Sequence, residues 1–258
     1  MDMQLKGKNA AVVGATRGIG LAIADLLASE GCNVSICARS QDGVDAVVNG
    51  LSKHGVKAMG SALDATDAAA QTAWIDGTAE AFGGLDIFIA NVSALNQGTD
   101  EAAWKQGFEV DIMATFYGAE AAVPHLKNSD AGAIVMISSI AALHVPGGPK
   151  PYGAMKAAVI NYAKGLARAC AGRPRELRLA QEHLFRGWRL GKTERNNPEF
   201  FAKQIAANPM GRMGTPDEVA KATVLLASPA ASFVSGTNLL VEGALTLGVQ
   251  CLALIDPC

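Results

Sequence analysis

An excess of charge of either sign is missing from this sequence. Its 22 Lys+Arg nearly balance 24 Asp+Glu, the net charge is -2, and only 18% of residues are charged. A nucleic-acid surface needs a basic stripe, so no nucleic-acid partner is expected. Aromatics are scarce at 5%, which argues against a stacking platform for single strands. No run approaches the ~20 apolar residues of a bilayer span. Residues 1–8 lack the charged-then-apolar layout of a secretory signal, so no membrane partner is expected. The five cysteines, at 32, 37, 170, 251 and 258, include no C-x-x-C pair. That scatter fits free thiols in a reducing, cytoplasmic setting better than a disulfide frame or zinc site. His54, His125, His144 and His183 form no ligand spacing either, so no metal is assigned.

Half of the residues are apolar, which excludes disorder and supplies a large core. Continuous apolar runs at 10–13, 33–37, 86–90 and 133–137 read as buried strands, with a short strand at 57–63 and a late one at 238–241. Helical patterns separate them: one after residue 18 through Ile19, Ile23, Leu26 and Leu27, then a polar one to about 54, then 68–82, 101–126, 151–171 and one opening at Pro216. Strands of this kind alternating with helices predict an α/β, doubly wound, mostly parallel sheet of about seven strands with helices on both faces. No linker or repeat interrupts it, so one domain is expected over 1–258.

The first strand runs into Gly14-Ala15-Thr16-Arg17-Gly18-Ile19-Gly20. Glycines let backbone approach a pyrophosphate, and a helix N-terminus offers free N–H groups and a positive dipole end. The spacing is Gly-x3-Gly-x-Gly, so an ordinary tight turn is the alternative. The second strand ends Cys37-Ala38-Arg39-Ser40, without the acid that usually holds a ribose 2′-hydroxyl in an NAD site. Arg17 and Arg39 suit a 2′-phosphate instead, so NADP(H) is preferred as cofactor over NAD(H).

Tyr152 and Lys156 stand at i and i+4, on one helix face. An ammonium there favours the phenolate and makes the phenol a usable acid–base group near neutrality. Ser139 ends the fifth strand, where a hydroxyl can bond a carbonyl or alcohol oxygen. A Tyr-x3-Lys pair alone recurs by chance on surface helices; glycine turn, strand-end Ser and Tyr-x3-Lys in this order are far more specific.

In these motifs the chain resembles the short-chain dehydrogenase/reductase family, in its shorter single-domain branch with a Rossmann fold. The resemblance covers about 5–171 and 191–247. It implies cofactor contacts from Gly14, Thr16, Arg17, Gly18, Ile19, Gly20, Arg39, Asp64, Asn91, Tyr152 and Lys156, with Asp64 at the adenine ring. It implies a catalytic set of Ser139, Tyr152 and Lys156. Tyr152 would exchange a proton with the substrate oxygen, Ser139 would position that oxygen, and Lys156 would hold the nicotinamide ribose. Asp111 occupies the place of the family's fourth catalytic residue, an Asn thought to kink its helix and hold a water through its carbonyl. A carboxylate there would add negative charge near Lys156. Val13 replaces a usual Thr, and Ser93 a usual Gly in Ala90-Asn91-Val92-Ser93.

A larger departure follows the Tyr-x3-Lys helix. The family has a strand, then Pro-Gly, then a nicotinamide-contacting Thr. Here five of the ten arginines (173, 175, 178, 186, 189) crowd a stretch without a buried strand, and Leu177, Ala180, Leu184 and Trp188 recur at helix spacing. One reading is an amphipathic basic helix. The other is a shifted reading frame. Codons that fit these residues, read one base later from Arg175, permit Val-Asn-Ser-Val-Ser-Pro-(Arg or Lys)-Asn-Thr-Tyr-Phe-Glu-Gly-Gly-Val, close to what the family places here. In that case the protein is more acidic than -2.

The leading expectation is an oxidoreductase acting on a secondary alcohol or ketone, a small-molecule partner. A 3-oxoacyl thioester reductase is the alternative within the class. A catalytically silent nucleotide-binding regulatory protein is the alternative outside it. The helices at 101–126 and 151–171 resemble the surfaces through which this family forms tetramers, and their Ala-rich sides permit close packing, so a homotetramer or homodimer is expected; the alternative is that these faces only pack on the sheet.

Overall fold

The computed structural model describes residues 2–143, 145, 148–171, 178–184 and 197–246, with backbone alone for 178–184, 200 and 204. Seven strands form one sheet: β1 (Asn9–Val13), β2 (Asn33–Ala38), β3 (Ala58–Ala62), β4 (Ile87–Ala90), β5 (Ala133–Ile137), β6 (Arg178–Leu184) and β7 (Thr237–Val241). Their order is β3-β2-β1-β4-β5-β6-β7, and each neighbouring pair is parallel. Eight α-helices accompany it among the described residues: α1 (Gly18–Ser29), α2 (Gln41–Leu51), α3 (Ala68–Phe82), α4 (Glu101–Gly107), α5 (Ala114–Leu126), α6 (Pro151–Cys170), α7 (Pro198–Ala207) and α8 (Pro216–Ala227).

The central strands β1, β4 and β5 are buried along their whole length. Side chains alternate across a strand, so each strand feeds two cores. Val12, Ile89 and Val135 join α1 and α8 in one, with Ile23, Leu27 and Val224. Val13, Phe88 and Met136 join α3, α5 and α6 in the other, with Ile75, Ala119 and Val159. The chain builds outward from β1 in one direction to β3, then returns to add β4 on its other side. Ligands of open α/β sheets bind at such a switch point, beyond the carboxyl ends of the strands. None of the described helices is long and apolar enough to cross a membrane.

Three elements differ from the sequence expectation. The 101–126 helix is interrupted by a π-helical stretch, Phe108–Met113, between α4 and α5. Helix α7 opens on Pro198 with Glu199 in its first turn, a start signal that periodicity alone did not isolate. The amphipathic-helix reading of 177–188 is overturned over 178–184, which form β6. The physical reason is the sheet: β6 pairs on one side from Ala133↔Arg178 to Ile137↔Glu182, and on the other from Ala180↔Thr237 to Leu184↔Val241. Leu177 and Trp188 lie outside the described residues.

With Arg178, Gln181, Glu182 and His183, β6 differs in composition from the apolar β5 that it pairs with, and polar residues are costly in an interior strand unless partnered. A shifted frame is the other reading of this composition; its Pro would fall at position 180, within the span of β6, and Pro is confined to strand starts, edges and bulges. If the frame is shifted, peptide mass mapping of the protein made from its natural gene will lack the tryptic fragment 179–186. Recovery of that fragment, ending Phe185-Arg186, would sink the shifted frame.

Candidate active site

The carboxyl ends of β1, β2, β4 and β5 carry the residues singled out above. After β1, Gly14 turns with φ +69° and Gly18 with φ +57°, a left-handed region that suits glycine. Gly14 N–H donates to the Cys37 carbonyl at the end of β2, 2.9 Å away. Asn91, just past β4, donates from Nδ2 to the Gly14 carbonyl at 3.0 Å. A Cβ on Gly20 would collide with that amide and with the Gly14 carbonyl, so only glycine lets α1 start so close to the turn. Arg17 stands extended at the start of α1 with no side-chain cap, and no acid occupies the first turn. The first N–H groups of α1 thus face the turn as anion donors, a cradle that fits a pyrophosphate. Ile19 is buried, Thr16 half-buried, and Arg17 and Arg39 exposed. Burial pushes the Cys37 thiol up to about 12, which leaves it a core residue rather than a nucleophile.

Asp64 follows β3. Its Oδ1 accepts from the Thr66 N–H at 3.0 Å and from the Thr66 hydroxyl at 2.9 Å. The Thr66 N–H, then its hydroxyl and nearby Arg39, hold the Asp64 carboxyl below its ordinary value against partial burial. Arg39 and Asp64 therefore flank one end of the cleft together.

At the other end, Ser139 caps a short 3₁₀ turn, accepting from the Ala141 N–H at 3.2 Å. Tyr152 is the second residue of α6, after Pro151 at the first position, and is 7% exposed. Lys156 lies one turn on and is 1% exposed. Its Nζ donates to the carbonyls of Ile137 at 3.1 Å and Val92 at 3.3 Å, and pairs with Asp111 Oδ1 at 3.1 Å. The structure thus brings Lys156 and Asp111 to the ends of β4 and β5.

A family profile described as "Enoyl-(Acyl carrier protein) reductase" matches residues 14–246. Isoepoxydon dehydrogenase patN of Penicillium expansum is 33% identical over 254 residues, covering 95% of this chain and 97% of that protein. 3-Oxoacyl-[acyl-carrier-protein] reductase FabG of Vibrio cholerae is 32% identical over 245 residues, covering 93% and 98%. A short chain dehydrogenase from Burkholderia cenocepacia J2315, solved in complex with NADP, superposes with a TM-score of 0.82 at 30% identity, covering 93% and 98%. The chain belongs to the short-chain dehydrogenase/reductase family. It is an NAD(P)-dependent oxidoreductase.

Within this short-chain dehydrogenase/reductase, two supports of the site escaped the sequence reading. Ser138 Oγ donates to the Lys156 carbonyl at 3.0 Å, which ties the end of β5 to α6. At Gly153 a Cβ would stand 2.5 Å from the Ala141 carbonyl, so glycine lets α6 press against the Ser139 turn. The Ser138-Ser139 doublet and the Tyr152-Gly153 pair were the available signals. His54 pairs with Asp25 at 2.9 Å and His125 with Asp76 at 2.6 Å, whereas His144 lies outside the described residues. Among the described residues no cluster of three or more His, Cys, Asp or Glu could hold a metal.

Proposed function

We propose that this enzyme moves a hydride between NADP(H) and a secondary alcohol or ketone. The observation that carries the reading is the buried Lys156 ammonium. It is anchored on the ends of β4 and β5, one helical turn from Tyr152 and tied to the strand that delivers Ser139. The glycine cradle supports the cofactor reading. Gly14, Thr16, Arg17, Gly18, Ile19 and Gly20 would hold the pyrophosphate, Arg17 and Arg39 the 2′-phosphate, Asp64 the adenine, and Asn91, Tyr152 and Lys156 the nicotinamide riboside. When bound, the nicotinamide supplies or takes the hydride.

The chain's own residues do the rest. Ser139 Oγ holds the substrate oxygen. Tyr152 gives that oxygen a proton in reduction and takes one in oxidation. Lys156 places a positive charge beside the phenol and binds the ribose. Such positioning supplies much of the rate. A silent regulatory role would not need an ammonium buried at this cost.

The same reading takes the whole chain as one catalytic domain, working in the cytoplasm as a homotetramer or homodimer. Free buried thiols at Cys32, Cys37 and Cys170 support the compartment. A groove of about 680 Å³ between the π-helical stretch, α5 and α6 supports the assembly; it is lined by Phe108, Ile112, Phe116, Val159 and Tyr162. Phe108 is 46% and Phe116 38% exposed there, more apolar surface than a solvated helix face needs.

The relative FabG favours a 3-oxoacyl thioester as the second substrate class. A panel of ketones, alcohols and 3-oxoacyl thioesters, each with NADPH/NADP⁺ and NADH/NAD⁺, tests the reading. NADPH is expected to be preferred. Arg39→Ala is expected to raise the NADPH KM by about 10- to 100-fold, the worth of one charge-assisted bond, and to leave the NADH KM nearly unchanged. A marked NADH preference in the natural enzyme would overturn the assignment of Arg17 and Arg39.

A further inference from the structure

Asp111 is the one carboxylate in contact with the Lys156 ammonium among the described residues. Its Oδ1 lies 3.1 Å from Lys156 Nζ, and both side chains are 1% exposed. Its Oδ2 accepts from the Ala94 N–H at 3.2 Å, in the loop after β4. Its main-chain carbonyl is also engaged, accepting from the Thr115 hydroxyl at 2.9 Å. The π-helical stretch Phe108–Met113 is the local distortion that delivers the carboxylate to this spot, and such stretches concentrate at functional sites. A family Asn would bring no charge here.

We propose that Asp111 is a counter-ion that fixes the Lys156 ammonium and sets the pH range in which the enzyme turns over. It is a positioning residue, acting through Lys156 on the proton transfer at Tyr152. The inference rests on the oxidoreductase reading above. Proton transfer then belongs to a coupled set of Tyr152, Lys156 and Asp111 rather than to any one group. Without the carboxylate, the ammonium keeps, among the described residues, the Ile137 and Val92 carbonyls alone, and a positive charge no longer offset favours the anionic form of a neighbouring phenol.

Among the described side chains no other charge takes over the role. On the π-helical stretch, Glu109 is exposed. On α4, Glu101 and Lys105 pair with each other at 2.6 Å. The turn Ile140–Ala142 holds no titratable residue. At the start of α6, Lys150 reaches Gln97 Oε1 at 3.3 Å. On β6 stand Arg178, Glu182 and His183, whose side chains lie outside the described residues.

The test is the pH–rate profile of alcohol oxidation with NADP⁺, for the natural enzyme and for Asp111→Asn. The rising limb is expected to move to lower pH by about one unit or more in the variant. Asp111→Ser makes the same charge change with less bulk and is expected to move the limb in the same direction. Fluorescence titration with NADPH gives a readout independent of turnover: an uncompensated ammonium is expected to bind the anionic cofactor several-fold more tightly. Active variants whose limb stays in place or moves to higher pH, with unchanged NADPH affinity, overturn the counter-ion role and leave the oxidoreductase reading standing. No turnover by the natural enzyme across the panel would strike the oxidoreductase reading instead, and the NADPH titration would then decide the counter-ion role alone.

Discussion

Tyr152→Phe lowers turnover by about 10²- to 10⁴-fold, the range that a lost general acid–base group commands, and leaves the NADPH dissociation constant within a few-fold. Tyr152 is 7% exposed and sits in the first turn of α6, where Pro151 presets the helical φ. A phenyl ring fills the same space, so α6 and Lys156 keep their places and only the hydroxyl is lost. Steady-state rates beside a fluorescence titration separate the two effects. An unchanged rate would refute the acid–base role, and a parallel loss of rate and cofactor affinity would place the hydroxyl's contribution in holding the nicotinamide riboside.

Lys156→Met should be the most destabilising single change in the site. It leaves the Asp111 carboxyl, 1% exposed, without its ammonium partner. Breaking a buried pair from one side costs about 3–5 kcal/mol, because the remaining charge is uncompensated. In a chain of this size that lowers the melting temperature by roughly 6–20 °C. Lys156→Met/Asp111→Asn removes both charges and is expected to recover most of the loss, although it stays inactive. The four proteins of this cycle, compared by thermal and urea unfolding, give the coupling directly. A single Lys156→Met variant within about 1 kcal/mol of the natural enzyme would show that the pair is relaxed by water or by rearrangement.

Much of this architecture was legible because parallel strands buried on both faces read as unbroken apolar runs. Ala10-Ala11-Val12-Val13 and the runs of β4 and β5 leave little choice. The shared face of Tyr152 and Lys156 was legible for another reason: helix geometry alone puts positions 152 and 156, both on α6, on one side. Strand β6 was hidden because Arg178, Gln181, Glu182 and His183 contradict the composition of an interior strand, and its pairing comes from β5 and β7, distant in sequence. Among the described residues strand β3 pairs with β2 alone, at the sheet edge, and all but Met59 of its part-exposed residues are small, so its limits blur. The sequence suggested that a carboxylate at 111 adds charge near Lys156. It could not show that Oδ1 meets the ammonium while Oδ2 takes the Ala94 N–H, because that contact needs a loop, a helix and two strand ends placed together.

The π-helical stretch also changes how the helices at 101–126 are to be counted. A π turn holds one residue more than the α-helical ladder needs, and each residue advances the α-helical wheel by about 100°. Face assignments made on α4 therefore slip by about that angle on α5. Trp104, 37% exposed before the stretch, and Phe116, 38% exposed after it, cannot be placed on a common stripe by adding multiples of 3.6. Substitutions chosen from a single helical wheel across this region would land on the wrong side of one helix or the other.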